Sequence, residues 1–154
     1  MLAREEVEVE SVLCRVLPQP RWSPRRGIAA AQLRVGGGPI AVASCHLGLA
    51  PERRLQEVEE VLAVADGLVG PVVVGGDLNE PAGGPCWRRL QDAGFVDHGS
   101  ARWPTFPATR PAARIDALLV RGDVRVTHHG AVDVPLALLA QASDHLPVGA
   151  VIEV

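Results

Sequence analysis

The segment Pro71-Val72-Val73-Val74-Gly75-Gly76-Asp77 constrains the fold more than any other stretch of the chain. Three consecutive β-branched residues disfavour a helix and present no polar face to water. Such a run reads as a strand buried on both faces, as at the centre of a sheet covered on two sides. The rest of the chain supplies its neighbours and its cover. Immediately upstream, PERRLQEVEEVLAVADGL places apolar residues at 55, 58, 61, 62 and 65. That is helical spacing, with Pro51 in the first turn and Gly67 at the end. Before it, Ile28–Val35 and Ile40–His46 flank Gly36-Gly37-Gly38-Pro39 and read as a β-hairpin. Residues 6–17 alternate, with Val7, Val9 and Leu13 opposite Glu6, Glu8 and Glu10. They predict a strand with one face in water. Pro18, Pro20 and Pro24 break the chain after it.

Downstream, a second helix is expected over Pro85–Ala93, then a weak strand near Phe95 and a loop over 99–114. Strands follow at Ile115–Val120 and Val124–Val132, with Arg121-Gly122-Asp123 as the turn. Residues 133–146 form a loop in which PLALLAQ can add a helical turn, and Val148–Val154 is the last strand. Strands mixed with two helices predict the α/β or α+β class. No repeat or linker divides the chain, so residues 1–154 are expected to form one domain.

Composition narrows the function classes. The chain has 154 residues, 47% hydrophobic but only 3% aromatic, so an aliphatic core of single-domain size is expected. All 15 basic residues are arginines, read here as coding bias. The pairs Arg25-Arg26, Arg53-Arg54 and Arg88-Arg89 are scattered and form no basic stripe. With a net charge of -3, binding to nucleic acid through charge alone is disfavoured. Cys14, Cys45 and Cys86 fit neither a disulfide framework nor a zinc site and read as small core residues. The N-terminus has no signal-peptide pattern and no run reaches the roughly 18 apolar residues of a membrane span. A soluble, cytoplasmic protein is expected.

Four segments place polar residues at strand ends, where open sheets bind ligands. In Gly76-Asp77-Leu78-Asn79 a buried strand runs into Asp and Asn spaced by two. On extended chain those side chains share a face. A carboxylate can hold or deprotonate a water, and an amide can donate to a phosphoryl oxygen. The same residues also suit a plain turn. In Ser143-Asp144-His145 the acid–histidine pair suits metal ligation or proton transfer, and a solvated loop as well. Asp116 sits inside the apolar run Ile115–Val120, where a carboxylate is costly without a partner. A histidine on a neighbouring strand end would supply one. His46 ends the run Ile40–Ala43. Three acids, one amide and two histidines on one side of a sheet suit phosphoryl transfer to water.

His46-Leu47, Gly76-Asp77-Leu78-Asn79, Thr105-Phe106-Pro107, Arg114-Ile115-Asp116 and Ser143-Asp144-His145-Leu146-Pro147 follow one another in order. Together they resemble the C-terminal motifs of the endonuclease/exonuclease/phosphatase family, over roughly residues 26–154. The resemblance implies a DNase I-like β-sandwich with outer helices and a phosphoesterase dependent on Mg²⁺ or Mn²⁺. It implies roles by position. Asp77 orients or deprotonates the attacking water, and Asn79 holds a phosphoryl oxygen. His145 stabilises the pentacoordinate phosphorus, and Asp116 fixes the tautomer and charge of His145. Asp144 lies at the metal together with Asp77. His46 contacts the phosphate from the opposite side or serves as the acid for the leaving group. The partner is a phosphate ester: nucleic acid, phospholipid head group or sugar phosphate.

The family's N-terminal Asn and its metal-binding Glu have no counterpart before His46, so the N-terminal part of the sandwich is expected to be missing. Glu6, Glu8 and Glu10 read as a solvated strand face, and Glu80 as a cap or a solvent-facing residue. Three readings follow: a fragment of a longer enzyme, a homologue that has lost catalysis, or a chain that completes its site by self-association. The rival function is a non-catalytic binding module. His128-His129 point to opposite sides of a strand and read as a solvated edge, and His98 as an exposed loop residue. Trp22, Trp87 and Trp103 read as packing anchors, with Trp103 also placed to touch substrate.

Overall fold

In a computed structural model, described here for residues 4, 7–18, 23–99 and 102–153, the chain forms eight strands and three helices. The strands are β1 (Glu8–Val16), β2 (Gly27–Val35), β3 (Gly38–His46), β4 (Val72–Asp77), β5 (Val96–Asp97), β6 (Asp116–Arg121), β7 (Arg125–Ala131) and β8 (Val148–Glu153). The helices are α1 (Pro51–Asp66), α2 (Pro85–Asp92) and α3 (Leu136–Ala142). Six strands make one sheet in the order β1-β2-β3-β4-β6-β5, and β7 and β8 form a separate ribbon.

β4 lies inside the sheet, parallel to β3 and antiparallel to β6, with Val72, Val73 and Val74 buried. The parallel pairing needs a crossover, which α1 provides. Val58, Val61, Leu62 and Ala65 of α1 and Trp87 and Leu90 of α2 bury against one sheet face, in a core with Ile28, Ala43, Val74 and Leu119. On the other face a smaller cluster joins Ile40, Val73 and Val120 to Val126 of β7 and Ile152 of β8. The ribbon therefore covers the β4–β6 part of that face. The β2–β3 turn has positive φ at Gly36 (58°) and Gly37 (86°), the combination a two-residue hairpin turn requires.

Several expectations are corrected. β1 is exposed along its whole length, on both faces, because it pairs with β2 alone and α1 meets it through the solvent-exposed Arg15–Glu60 ion pair instead of apolar packing. Val12 is 74% exposed and Val16 68%, and Cys14 is exposed instead of packed in the core. Glu6 and Trp22 lie outside the described residues. PLALLAQ forms most of α3, a third helix in place of a mere turn. His129 is partly buried, with Nε2 at 3.1 Å from the Leu118 carbonyl oxygen, so only His128 remains on a solvated edge. Among the described residues no helix is long and apolar enough to cross a membrane.

The register aligns the polar strand ends. His46 pairs with Asp77 across β3–β4, and Asp77 with Asp116 across β4–β6. Paired residues share a face, so the three stand in a row. Gly76, at φ 139°, makes this approach possible: a Cβ there would lie 1.9 Å from the Cys45 carbonyl oxygen. Gly76→Ala is therefore expected to cost about 3 kcal/mol or more of stability, from backbone strain plus displacement of β3. Chemical denaturation measures this, and a midpoint equal to that of the parent chain would contradict the account.

Candidate active site

The row His46-Asp77-Asp116 opens into a cavity of about 470 Å³ lined by Arg26, His46, Asp77, Asn79, Phe106, Asp116, Asp144 and His145. All six residues singled out from the sequence therefore reach one place. His145 Nδ1 lies 2.9 Å from Asp116 Oδ2, the partner that a carboxylate in an apolar strand requires. His145 Nε2 is 3.9 Å from Asp77 Oδ2, and His46 Nε2 is 3.2 Å from the same oxygen. Asp77 thus sits between two imidazoles. Asp144 is exposed and lines the cavity, but the tight donor group consists of Asp77, Asp116 and His145, whose ligating atoms lie within 4.8 Å of one another.

Asn79 arrives by a different route from the one its spacing suggests. The chain leaves the strand at Asp77, and Asn79 takes a positive φ of 49°. Its backbone N–H donates to Asp77 Oδ1 at 2.7 Å, a turn closed by the aspartate itself. Its side-chain amide donates to the Leu47 carbonyl oxygen at 2.7 Å, leaving one amide hydrogen for a ligand. The turn and the functional reading of this segment are therefore compatible. Glu80 follows as a buried cap: its carboxylate accepts the Cys86 N–H at the start of α2 (2.7 Å) and faces Arg54 at 3.4 Å.

Thr105-Phe106-Pro107 closes the other side. Thr105 Oγ1 accepts the backbone N–H groups of Ile115 (3.2 Å) and Asp116 (3.3 Å), and the Thr105 carbonyl accepts that of Leu146 at 2.7 Å. One threonine thereby ties the start of β6 to the loop that carries His145. The Phe106 ring lies 4.8 Å from the His145 ring. Trp87 is buried as an anchor, beneath Arg114 at 4.6 Å. Trp103 is half-exposed and lines an adjoining apolar cavity of about 250 Å³, outside the acid–histidine cluster.

The two histidines differ electrically. Burial and the neighbouring Arg26 charge push His46 below its ordinary value, outweighing the pull of Asp77. For His145 burial acts in the same direction, but the Asp116 hydrogen bond and the charges of Asp116, Asp77 and Asp144 prevail and raise it. Cys45, next in sequence to His46, is no nucleophile: burial, then Asp77, push its thiol up to about 12.

The residues present fit a hard divalent cation. Carboxylate oxygens suit such an ion. Among the described residues, Asp77, Asp116 and Asp144 face one arginine across the cavity. An incoming phosphate meets net negative charge there unless a cation offsets it.

Because its pKa is raised in the fold, protonated His145 stabilises the protein. That contribution is complete below the ordinary value of 6.5 and fades as pH rises through the raised one. Asp116→Asn is expected to move the His145 titration to lower pH. Its ring proton signal, followed by NMR, reports this directly, and an unmoved midpoint would refute the assignment of Asp116 as the dominant partner.

The sequence profile described as the Endonuclease/Exonuclease/phosphatase family matches residues 4–145. An endonuclease/exonuclease/phosphatase from Bacteroides vulgatus superposes with a TM-score of 0.79 at 20% identity, covering 96% of this chain and 66% of its own. A mannosyl-6-phosphatase from Bacteroides thetaiotaomicron VPI-5482 gives 0.77 at 16% identity, with 96% and 67% covered. D. rerio TDP2, complexed with single strand DNA product, gives 0.75 at 15% identity, with 96% and 69% covered. The chain thus spans about two thirds of the length of these structures. No curated protein matches its sequence. The fold is the DNase I-like mixed α/β architecture, and by its profile over most of its length the chain belongs to the endonuclease/exonuclease/phosphatase family.

Proposed function

We propose that the chain hydrolyses phosphate esters with a divalent cation, Mg²⁺ or Mn²⁺, as cofactor. The observation that carries this reading is the convergence of His46, Asp77, Asn79, Asp116, Asp144 and His145 on one cavity. Asp77 and Asp144 hold the cation, which when bound offsets the carboxylates and draws charge from the phosphoryl group. Asp77, placed between the two imidazoles, orients the attacking water and takes its proton as oxygen bonds to phosphorus. The free amide hydrogen of Asn79 donates to a phosphoryl oxygen. Asp116 keeps a proton on His145 Nδ1, so that a protonated His145 turns its Nε2–H towards the charge growing on the phosphoryl oxygens. His46 meets the phosphate from the opposite wall. The P–O bond to the alcohol breaks as the new one forms, and the departing oxygen takes its proton from solvent water in the open cavity.

Residues 1–154 act as one domain in this reading. Choice among nucleic acid, phospholipid head group and sugar phosphate falls to the loops around the cavity, Trp103–Pro107 among them. Three free cysteines, one of them exposed, suit the reducing cytoplasm. A second copy of the chain, or further chain of the same protein, would cover the exposed face of β1.

Hydrolysis of bis-(p-nitrophenyl) phosphate with Mg²⁺ or Mn²⁺, abolished by EDTA, is the expected result. Asp77→Asn and His145→Ala should each lower the rate by about 10²–10⁴-fold with the circular dichroism spectrum unchanged. Full activity in either variant would sink the assignment. No turnover by the folded parent chain would favour the non-catalytic binding module.

A further inference from the structure

Thr105 lies outside the catalytic cavity: it is 2% exposed and lines the adjoining apolar cavity with Trp103 and Leu146. We propose that Thr105 is the positioning residue of this site, its hydroxyl and carbonyl setting the distances among Asp77, Asp116 and His145 without touching substrate. The effect on rate rests on the phosphoesterase reading; the placement of the three side chains does not.

Three observations carry it. First, Thr105 is the junction of a hydrogen-bond chain that runs past all three residues. Its Oγ1 accepts the N–H of Asp116 and that of the preceding residue, Ile115. The Ile115 carbonyl in turn accepts the N–H of Leu78, next to Asp77, at 2.9 Å. On the other side the Thr105 carbonyl accepts the N–H of Leu146, next to His145. Each member of the Asp77–Asp116–His145 cluster therefore stands within one residue of a bond in this chain.

Second, these bonds begin where strand pairing stops. Asp77 and Asp116 are the last pair of β4 with β6, and His145 sits on the loop between α3 and β8. No ladder fixes that loop against β6, yet His145 Nδ1 and Asp116 Oδ2 stand 2.9 Å apart. The segment that begins at Thr105 supplies the support. It grips the loop on both sides of His145, because the Ala108 N–H also donates to the Asp144 carbonyl at 2.7 Å. It is itself anchored, with the N–H groups of Thr105 and Phe106 both donating to the Ala113 carbonyl, at 2.8 and 3.0 Å.

Third, the position needs a hydroxyl. A hydroxyl oxygen offers two acceptor lone pairs, and the Ile115 and Asp116 N–H groups fill both. Valine has nearly the same shape, but it would turn a methyl group to those two donors and leave them unpaired. The start of β6 would then shift towards another acceptor and carry Asp116 with it.

The test compares Thr105→Val with Thr105→Ser, which loses a methyl group and keeps the acceptor. In the parent chain the Ile115 and Asp116 amides should be protected from hydrogen exchange. The His145 ring, followed by nitrogen NMR in alkaline buffer, should show the Nδ1–H tautomer that Asp116 selects. Thr105→Val should release both amides and move the ring towards the Nε2–H form, and Thr105→Ser should restore both. With bis-(p-nitrophenyl) phosphate and Mg²⁺, Thr105→Val should lower kcat about 10²-fold, as an ångström-scale misplacement does, with KM within about twofold of the parent. Thr105→Ser should recover most of kcat. Should Thr105→Val fail to fold, Thr105→Ala takes its place, differing from Thr105→Ser by the oxygen alone. A parent-like tautomer signal in Thr105→Val, a kcat within about threefold of the parent, or a Thr105→Ser no better than Thr105→Val would overturn the proposal. Hydroxyl-dependent ring signals in a chain that hydrolyses no ester would overturn the hydrolase reading alone.

Discussion

The parallel pairing of β3 with β4 underlies everything else in this molecule. Its register brings His46 level with Asp77, and the antiparallel neighbour β6 brings Asp116 level with both. These residues lie far apart in the chain, and no local preference could align them. The energy comes from the apolar part of the strands. Val72, Val73 and Val74 are all buried, each worth about 1.5–3 kcal/mol when removed from water. The polar ends are carried to their positions by that burial, and Gly76 removes the one side chain that would hold the strands apart.

Behind the cavity, charged residues hold the loops. Glu57, on α1 and almost fully buried, accepts the Gly48 N–H at 2.6 Å. Arg54 donates to the Leu49 carbonyl at 2.6 Å and faces Glu80. These contacts fasten the turn after His46 and the turn after Asn79 to the same helix. Arg114, held by Asp97 and stacked on Trp87, does the same for the approach to Asp116. Buried ion pairs add little net stability once desolvation is counted, so their consequence here is placement. A site that must hold donors and acceptors to within a fraction of an ångström needs such supports.

The two sheet faces are treated differently. One is sealed by α1 and α2. The other is covered by β7 and β8 near β6 and is open at β1. An apolar groove of about 540 Å³ runs between these regions, past Val42, Leu118 and Leu139 to Asp116 and His145. The acid–histidine cluster stands at the rim of this groove, so whatever covers the groove also shapes the site.

The sequence by itself determined the elements. Valine runs, helical spacing after Pro51 and the glycine turn at 36–38 act over a few residues, and the strands and helices they predict are present within a residue or two. It also singled out the six polar residues at strand ends, Asp116 among them because a carboxylate inside an apolar run demands a partner. Tertiary structure decided what each of them touches. Asn79 reaches the cavity through a turn closed by Asp77, since the strand ends at Asp77, two residues before the position that simple alternation assumes to be extended. β1 alternates like a half-buried strand, yet burial depends on what lies above it, and alternation carries no information about that. Arg26 was illegible among scattered arginine pairs. Only the pairing of β2 with β3 places it beside His46, and long-range pairing is set by the whole sheet and not by neighbours in sequence.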